Sequence, residues 1–513
     1  MGDSSDGTLR TGGFAGGETG GRGGMKTVQE YIDEKPVWPD GTATSSAPMT
    51  AMQWRIWALA TAGKFFEGMM VFMTGVALPL IVEEFRLDTV GKGLVGAAPL
   101  FGILIGATAL GGLSDLAGRK RMFIAEMILF AVSLFLLVFS PGFAWLIVFL
   151  FIMGAALGCD YPTAHMVISE SIPSVSRGKL VLSAFGFQAV GALVGTAVGY
   201  LILYENPDIG AWRWMYATGI VPAILVVVAR YSIPDSGHWL VCRGRIDEAQ
   251  RELERLLARR PPYPRKVRLA VSASEATPAP DAVPAVEGFR SLFSRRHFRA
   301  TVFASVPWFL QDLGTYGIGM FTPTILASVI GSGTTHAGNI AGIIHTDMLA
   351  AKGAAFIDCL LLVGIVFAVL LADRAGRVRL QVLGFIGCAA GLFLASLSAG
   401  AGGGTGKFLI FAGFMLFSFM TNLGPNAMTY LIAGEVFPTR IRGKGAGFAA
   451  SFAKVGSVLT VFLFPLLLRS LGTKALLYGL VGTSLLGALI TWLFRIETTG
   501  VNLENIGRTE TGR

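Results

Sequence analysis

Among the ionisable side chains inside otherwise apolar stretches, four are the candidates for chemistry: Glu67 in GKFFEGMMVFMTG (63–75), Asp160 in GCDYPTAHMVISE (158–170), Asp312 in PWFLQDLGTYG (307–317) and Lys454 in SFAKVGS (451–457). Such groups can bind and release a proton or hold a charged solute. Placing one at bilayer depth costs at least ~2.5–3.5 kcal/mol on insertion scales, so they are expected to face a bundle interior and to serve function. Trp308, Asp312 and Tyr316 recur every four residues, which puts them in one stripe on a helix, able to line a cavity. Burial favours the neutral form of a carboxyl and a nearby ammonium favours the charged form, so an acid close to Lys454 is poised to change state.

These residues need walls, and the composition says of what kind. Of 513 residues 53% are hydrophobic and 15% charged, with a mean hydropathy of +0.61, whereas soluble domains carry roughly 25% charged residues. The chain belongs in a lipid bilayer. Runs long enough to cross, about 20 residues each, recur at 54–82, 92–112, 123–140, 144–168, 180–203, 214–232, 300–328, 353–372, 380–398, 407–432, 446–468 and 475–495. An all-α integral membrane protein of twelve helices is expected. Cys159, Cys242, Cys359 and Cys388 have no metal-ligand spacing and read as small packing residues, with no disulfide framework. His238, His297, His336 and His345 fall in loops or at helix ends, and no GxxxxGK[ST] loop supports ATP-driven pumping. No metal or cofactor is implied.

The net charge of +9 is placed in GRKR (118–121), SRGK (176–179), the segment 230–299, DRAGRVR (373–379) and TRIRGK (439–444). These are alternate loops of a twelve-helix chain, so the positive-inside rule puts them and both termini in the cytoplasm of a multi-pass protein of the cell membrane, and argues against a nucleic-acid surface. The first ~50 residues, with GGFAGGETGGRGG and no apolar periodicity, read as a flexible tail too polar for a signal peptide.

The chain also repeats itself. GGLSDLAGRKR (111–121) is answered by LADRAGRVR (371–379), and ESIPSVSRGK (170–179) by EVFPTRIRGK (435–444). Two pseudo-symmetric six-helix halves follow, 51–232 and 299–496. Between them lies a linker, 233–298, in which RIDEAQRELERLLARR (245–260) reads as an amphipathic helix; tails occupy 1–50 and 497–513. Shifting by 265 residues, the offset between Glu170 and Glu435, lays Tyr161 over Asn426 and Gln188 over Ala453, next to Lys454. Polar groups thus recur at matching depths in the two halves, as a central site between them requires.

With GGLSDLAGRKR, PDSGHWLVCRGRIDEA (234–249), GEVFPTRIRG (434–443) and IETTGVNLENI (496–506), the chain resembles the sugar-porter-like branch of the major facilitator superfamily over nearly its whole length after the tail. Within it, GCDYPTAHMVISE, PWFLQDLGTYG, TNLGPNAMTYLIAGEVFPTR (421–440) and SFAKVGS are most similar to the phosphate:proton symporters. The resemblance implies that Tyr161, Gln188, Trp308, Asp312, Tyr316 and Asn426 contact phosphate, with Asp160 and Lys454 their charged neighbours. Tyr hydroxyls, the Gln188 and Asn426 amides, the Trp308 indole and the Lys454 ammonium are all donors suited to phosphate oxygens. Proton coupling then falls to Asp312, Asp160 and Glu67. The chain departs from the symporters in helix one, where a paired-aspartate motif is usual and only Glu67 stands, with Lys64 beside it. His165, four residues after Tyr161, is either a relay facing the same cavity or a hydrogen-bonded core residue.

Asp115, Arg119, Glu170 and Arg177, with their counterparts Asp373, Arg377, Glu435 and Arg442, sit at helix ends. They are expected to form a gate in which opposite charges from the two halves pair on closing and part on opening. The implied partners are a small solute, a proton and the bilayer, with the protein a monomer. A proton-coupled or facilitated transporter of a sugar or organic acid fits the same scaffold, and a non-transporting nutrient sensor is the reading from outside the class. A membrane enzyme lacks the nucleophile–base or metal constellation it would need.

Overall fold

The computed structural model of the protein describes residues 26–36, 47–110, 117–259, 267–269, 289–331, 340–401, 403–438 and 441–498. Among these the regular structure is helical, apart from one isolated bridge between Lys26 and Leu269. A short α1 (Val28–Asp33) precedes the bundle. The N-terminal half comprises α2 (Ala51–Phe85), α3 (Thr89–Ile105), α4 (Arg119–Val138), α5 (Phe143–Ser171), α6 (Ser174–Glu205) and a sixth crossing made of α7 (Ala211–Ala217) and α8 (Ile220–Tyr231). Between the halves lie α9 (Gly237–Cys242) and α10 (Ile246–Leu257). The C-terminal half comprises α11 (Phe298–Gly331), α12 (Ile340–Ala375), α13 (Arg377–Ser396), a tenth crossing made of α14 (Gly403–Leu423) and α15 (Pro425–Glu435), and α16 (Arg442–Phe494).

Ten described stretches are long and apolar enough to cross a membrane. The apolar run of α11 is diluted by Gln311, Asp312, Thr315 and Tyr316, and it stands outside the ten. Helix α16 counts once but is divided by Gly472, whose φ of 78° turns the chain back where a residue with a Cβ is strained. Those two additions give the twelve expected. The tenth crossing restarts after Gly424 with Pro425 in its first turn, where the missing N–H leaves no donor unbonded. The eighth begins at Ile340 rather than 353, because Asp347 interrupts the apolar run yet is buried within the bundle.

The halves repeat one packing scheme. α2 lies on α6 and α3 on α5, as α11 lies on α16 and α12 on α14; the seams between halves are α6 against α12 and α3 against α16. Small residues allow the close crossings: a Cβ on Gly68 would stand 2.0 Å from the Gln188 carbonyl oxygen, and one on Gly191 1.9 Å from that of Phe65. This approach of α2 and α6 brings Lys64, Glu67 and Gln188 together.

One end of the bundle is capped. Ala249, Leu253, Leu256 and Leu257 of α10 pack with Val28, Tyr31 and Ile32 of α1 onto Ile56, Ile172 and Val181. The amphipathic helix expected at 245–260 is therefore present as α10. Residues 28–33, read from the sequence as part of a flexible tail, instead form α1. Asp33 accepts from the Ser174 backbone N–H and hydroxyl, both at 2.7 Å, and so caps the start of α6.

Candidate functional site

The stripe on α11 faces the middle of the bundle. Lys454 of α16 donates to the Tyr316 hydroxyl at 2.6 Å and to Asp312 Oδ2 at 3.3 Å, and stands 3.6 Å from Glu67 Oε1. Tyr316 donates to Glu67 Oε1 at 2.8 Å and accepts from Gln188 Nε2 at 3.0 Å. Lys64 donates to Glu67 Oε2 at 2.5 Å, with its ammonium 3.3 Å from the centre of the Tyr161 ring. Ser457 donates to Asp312 Oδ2 at 2.6 Å. Exposure is 2% at Glu67, 1% at Asp312, 8% at Lys64 and 5% at Lys454, so four helices from both halves share one buried polar cluster.

Amides extend it on one side. Gln311 donates to Thr315 at 2.7 Å and to Asn426 Oδ1 at 3.1 Å, and Asn426 donates to Asn422 at 2.6 Å. Toward the capped end the floor is aromatic: Tyr430 stacks on Phe185 with ring centres 4.6 Å apart and meets Tyr161 and Trp308 edge-on. His165 is exposed and lies 3.3 Å from the Tyr430 hydroxyl. His165 and Tyr430 are themselves 265 residues apart, the repeat offset. The room left beside Gln188, Tyr316 and Asn426 is about 20 Å³, enough for roughly one water. The buried Tyr161 hydroxyl and Gln311 Oε1 have no hydrogen-bond partner among the described residues, a deficit a bound solute can fill.

The structure thus brings Glu67, Gln188, Asp312, Tyr316 and Lys454 into direct contact, sets Asn426 beside Gln188 and Tyr316 on the same small cavity, and sets Tyr161 and Trp308 at the floor. Asp160 lies elsewhere. It accepts from Arg230 of α8 at 2.7 Å, and Arg230 also holds Glu126 of α4 at 3.2 Å, with its guanidinium 3.4 Å from the Phe123 ring centre. Asp160, expected as a charged neighbour of the phosphate-contacting residues, is thus ion-paired to Arg230 within the N-terminal half. Sequence reasoning did not single out Arg230, Glu126, Tyr430, Gln311 or Ser457. Ser457 had a signal, since it follows Lys454 by three residues; Arg230 closes a predicted span at a basic loop and gave none.

The helix-end charges pair mostly inside each half, not across them as expected. Arg119 meets Glu170 at 3.3 Å in one, and Arg377 meets Glu435 at 3.3 Å and Asp373 at 3.1 Å in the other. Arg177 donates to Gln29 of α1 at 3.1 Å. Across the halves, among the described residues, Lys179 meets Asp373 at 3.7 Å. Asp115 and the Arg442 side chain lie outside the described residues.

Residues 49–509 match the family described as "Sugar (and other) transporter". The niacin transporter NiaP of Acinetobacter baylyi is 28% identical over 447 residues, which covers 87% of this chain and 94% of its own. A protein of Arabidopsis thaliana named "Probable inorganic phosphate transporter 1-6" is 27% identical, with 82% and 85% covered. The xylose transporter XylE from E. coli, in a partially occluded inward-open conformation, has the same fold: TM-score 0.70 at 19% identity, covering 88% of this chain and 100% of that one.

Proposed function

Because the chain belongs to the sugar (and other) transporter family, whose members are transporters rather than enzymes, we propose that it carries a small oxyanion together with a proton by alternating access, with inorganic phosphate the solute the site suits best. One observation carries the reading: two ammonium groups, Lys64 and Lys454, and two carboxyls, Glu67 and Asp312, share one buried cluster. Fully ionised, it is neutral (two positive charges less two negative). An entering anion leaves uncompensated charge in a poorly solvating interior unless a carboxyl takes up a proton, so anion and proton travel together. Asp312 is the exchanging acid, held by one cation and one hydroxyl. Glu67 is secured by both lysines and Tyr316, and helps in place of the paired aspartates that helix one lacks. The Tyr161 and Tyr316 hydroxyls, the Gln188 and Asn426 amides, the Trp308 indole and Lys454 supply donors.

The capped end, with its basic loops and both termini, faces the cytoplasm of the cell membrane, and the protein works as a monomer in lipid. Asp115, Arg119, Glu170, Arg177, Asp373, Arg377, Glu435 and Arg442 form the cytoplasmic gate, whose halves move as units. A second reading, an organic carboxylate, is favoured by the aromatic floor of Tyr161, Phe185, Trp308 and Tyr430, which suits a planar ring. Uptake of labelled phosphate, niacin and xylose into proteoliposomes, with and without an imposed pH gradient, decides. Phosphate accumulating only down an inward proton gradient is expected. Gradient-driven uptake of another solute that excess phosphate leaves untouched removes the phosphate assignment.

A further inference from the structure

Helix α12 carries a second buried acid that the central cluster does not use. Asp358 is 5% exposed, and its Oδ2 lies 2.7 Å from the hydroxyl of Thr196 on α6, itself 1% exposed. The contact bridges the α6–α12 seam between the halves. It stands one turn beyond the cavity: Ala192, four residues before Thr196, and Leu361, three after Asp358, both line the central space. Since α6 runs away from the capped end and α12 toward it, the link closes the cavity on the side opposite the caps.

Hydrogen-bond accounting leaves room for a protonated carboxyl. The Thr196 hydroxyl also lies 3.0 Å from the Ala192 carbonyl oxygen. That carbonyl only accepts, and a hydroxyl has a single proton to give. If Thr196 satisfies Ala192, the proton between Thr196 and Asp358 belongs to the carboxyl. Among the described residues Asp358 is bonded to the Thr196 hydroxyl and has no ion pair. Glu67 and Lys64 of α2, Asp312 and Tyr316 of α11, and Tyr430 of α15 are engaged in the central cluster or its floor. Arg377 of α13 is held by Glu435, and Lys407 of α14 is exposed. α6 offers only Thr196 here, and α14 offers Asn422, which donates to the Leu361 carbonyl. On α12 itself Lys352 and Cys359 are exposed, while Asp347, eleven residues away on the same face, is buried with neither oxygen hydrogen-bonded among the described residues.

We propose that Asp358 and Thr196 form a proton-binding latch that seals the central cavity on its uncapped side while the carboxyl is protonated. Loss of the proton to water leaves a carboxylate with one hydroxyl and no cation, which the closed seam cannot accommodate, so α6 and α12 part and water enters. This latch lies outside the central cluster but rests on the alternating-access reading, and its test needs no solute. Spin labels at Glu205→Cys and Lys474→Cys, exposed positions at the uncapped ends of the two halves, report their separation by pulsed paramagnetic resonance in nanodiscs, with the exposed Cys242 and Cys359 replaced by alanine.

The wide-to-narrow ratio is expected to rise with pH by up to about tenfold per unit, the limit for one linked proton. Asp358→Asn, an amide that donates but cannot ionise, is expected to be narrow at every pH. Thr196→Ser is expected to keep the wild-type slope, and Thr196→Val to widen the protein several-fold at acid pH, which tests the latch even if the Asn variant does not fold. Two separations whose ratio ignores pH overturn the latch but leave alternating access standing; one invariant separation overturns both. Asp358→Asn retaining the wild-type slope, or Thr196→Val matching wild type at acid pH, overturns the latch alone.

Discussion

Asp312→Asn separates carrying a solute from being driven by protons. In the wild type Asp312 Oδ2 accepts from Ser457 at 2.6 Å and Lys454 at 3.3 Å. An asparagine oxygen keeps both bonds and the size of the group, so each retained contact, worth about 1 kcal/mol net, survives. What changes is charge: Lys64 and Lys454 less Glu67 leave the cluster at +1 before any solute enters. Anion binding is then expected to hold or tighten, while the proton that compensated the anion has no place to bind. With one proton per solute, a pH difference of one unit is worth about 1.4 kcal/mol, or roughly tenfold accumulation. The variant is expected to fall to no accumulation while still exchanging labelled for unlabelled solute. Proteoliposomes with and without an imposed gradient read both. Tenfold accumulation surviving in Asp312→Asn refutes the assignment and passes the coupling role to Glu67.

Lys454→Ala removes a cation shared by two buried carboxylates and a Tyr hydroxyl, and is expected to weaken anion binding about ten- to hundredfold, a charged hydrogen bond being worth about 1.5–3 kcal/mol; equilibrium binding of labelled phosphate to the purified variant checks it. Arg230→Met strands Asp160 and Glu126 and is expected to cost about 3–5 kcal/mol, seen as a lower Tm that Asp160→Asn with Glu126→Gln partly restores. Gly68→Ala drives a methyl to 2.0 Å from the Gln188 carbonyl oxygen, and is expected to part α2 from α6 at about 1–3 kcal/mol and slow transport; an unchanged Tm and rate contradict the close crossing.

The crossings were legible because lipid demands long apolar runs, and the centre because Trp308, Asp312 and Tyr316 keep one helical face while the 265-residue offset aligns the halves. Pairing was not legible. Arg230 reaches back from the end of α8 to Asp160 on α5 and Glu126 on α4, a choice made by tertiary packing that no local spacing encodes. The gate charges satisfied the expected types but turned inward to their own half, since Arg119 and Arg377 start the helices that follow the repeated loops and meet the acids closing α5 and α15. α1 was hidden because six residues show too little periodicity; its capping box, Thr27 with Glu30, was the readable trace.

On the alternating-access proposal, the location of the duplicated Arg–Glu pairs bears on how freely the carrier can turn over. Each is a rivet within one half, so rocking the halves leaves both intact. Among the described residues, the bridge between the halves at this end, Lys179 to Asp373, has side chains 70% and 49% exposed, and such pairs are worth about 0–1 kcal/mol and are screened by salt. On the proposed alternating access, this bridge adds almost no spring to the hinge at the capped end.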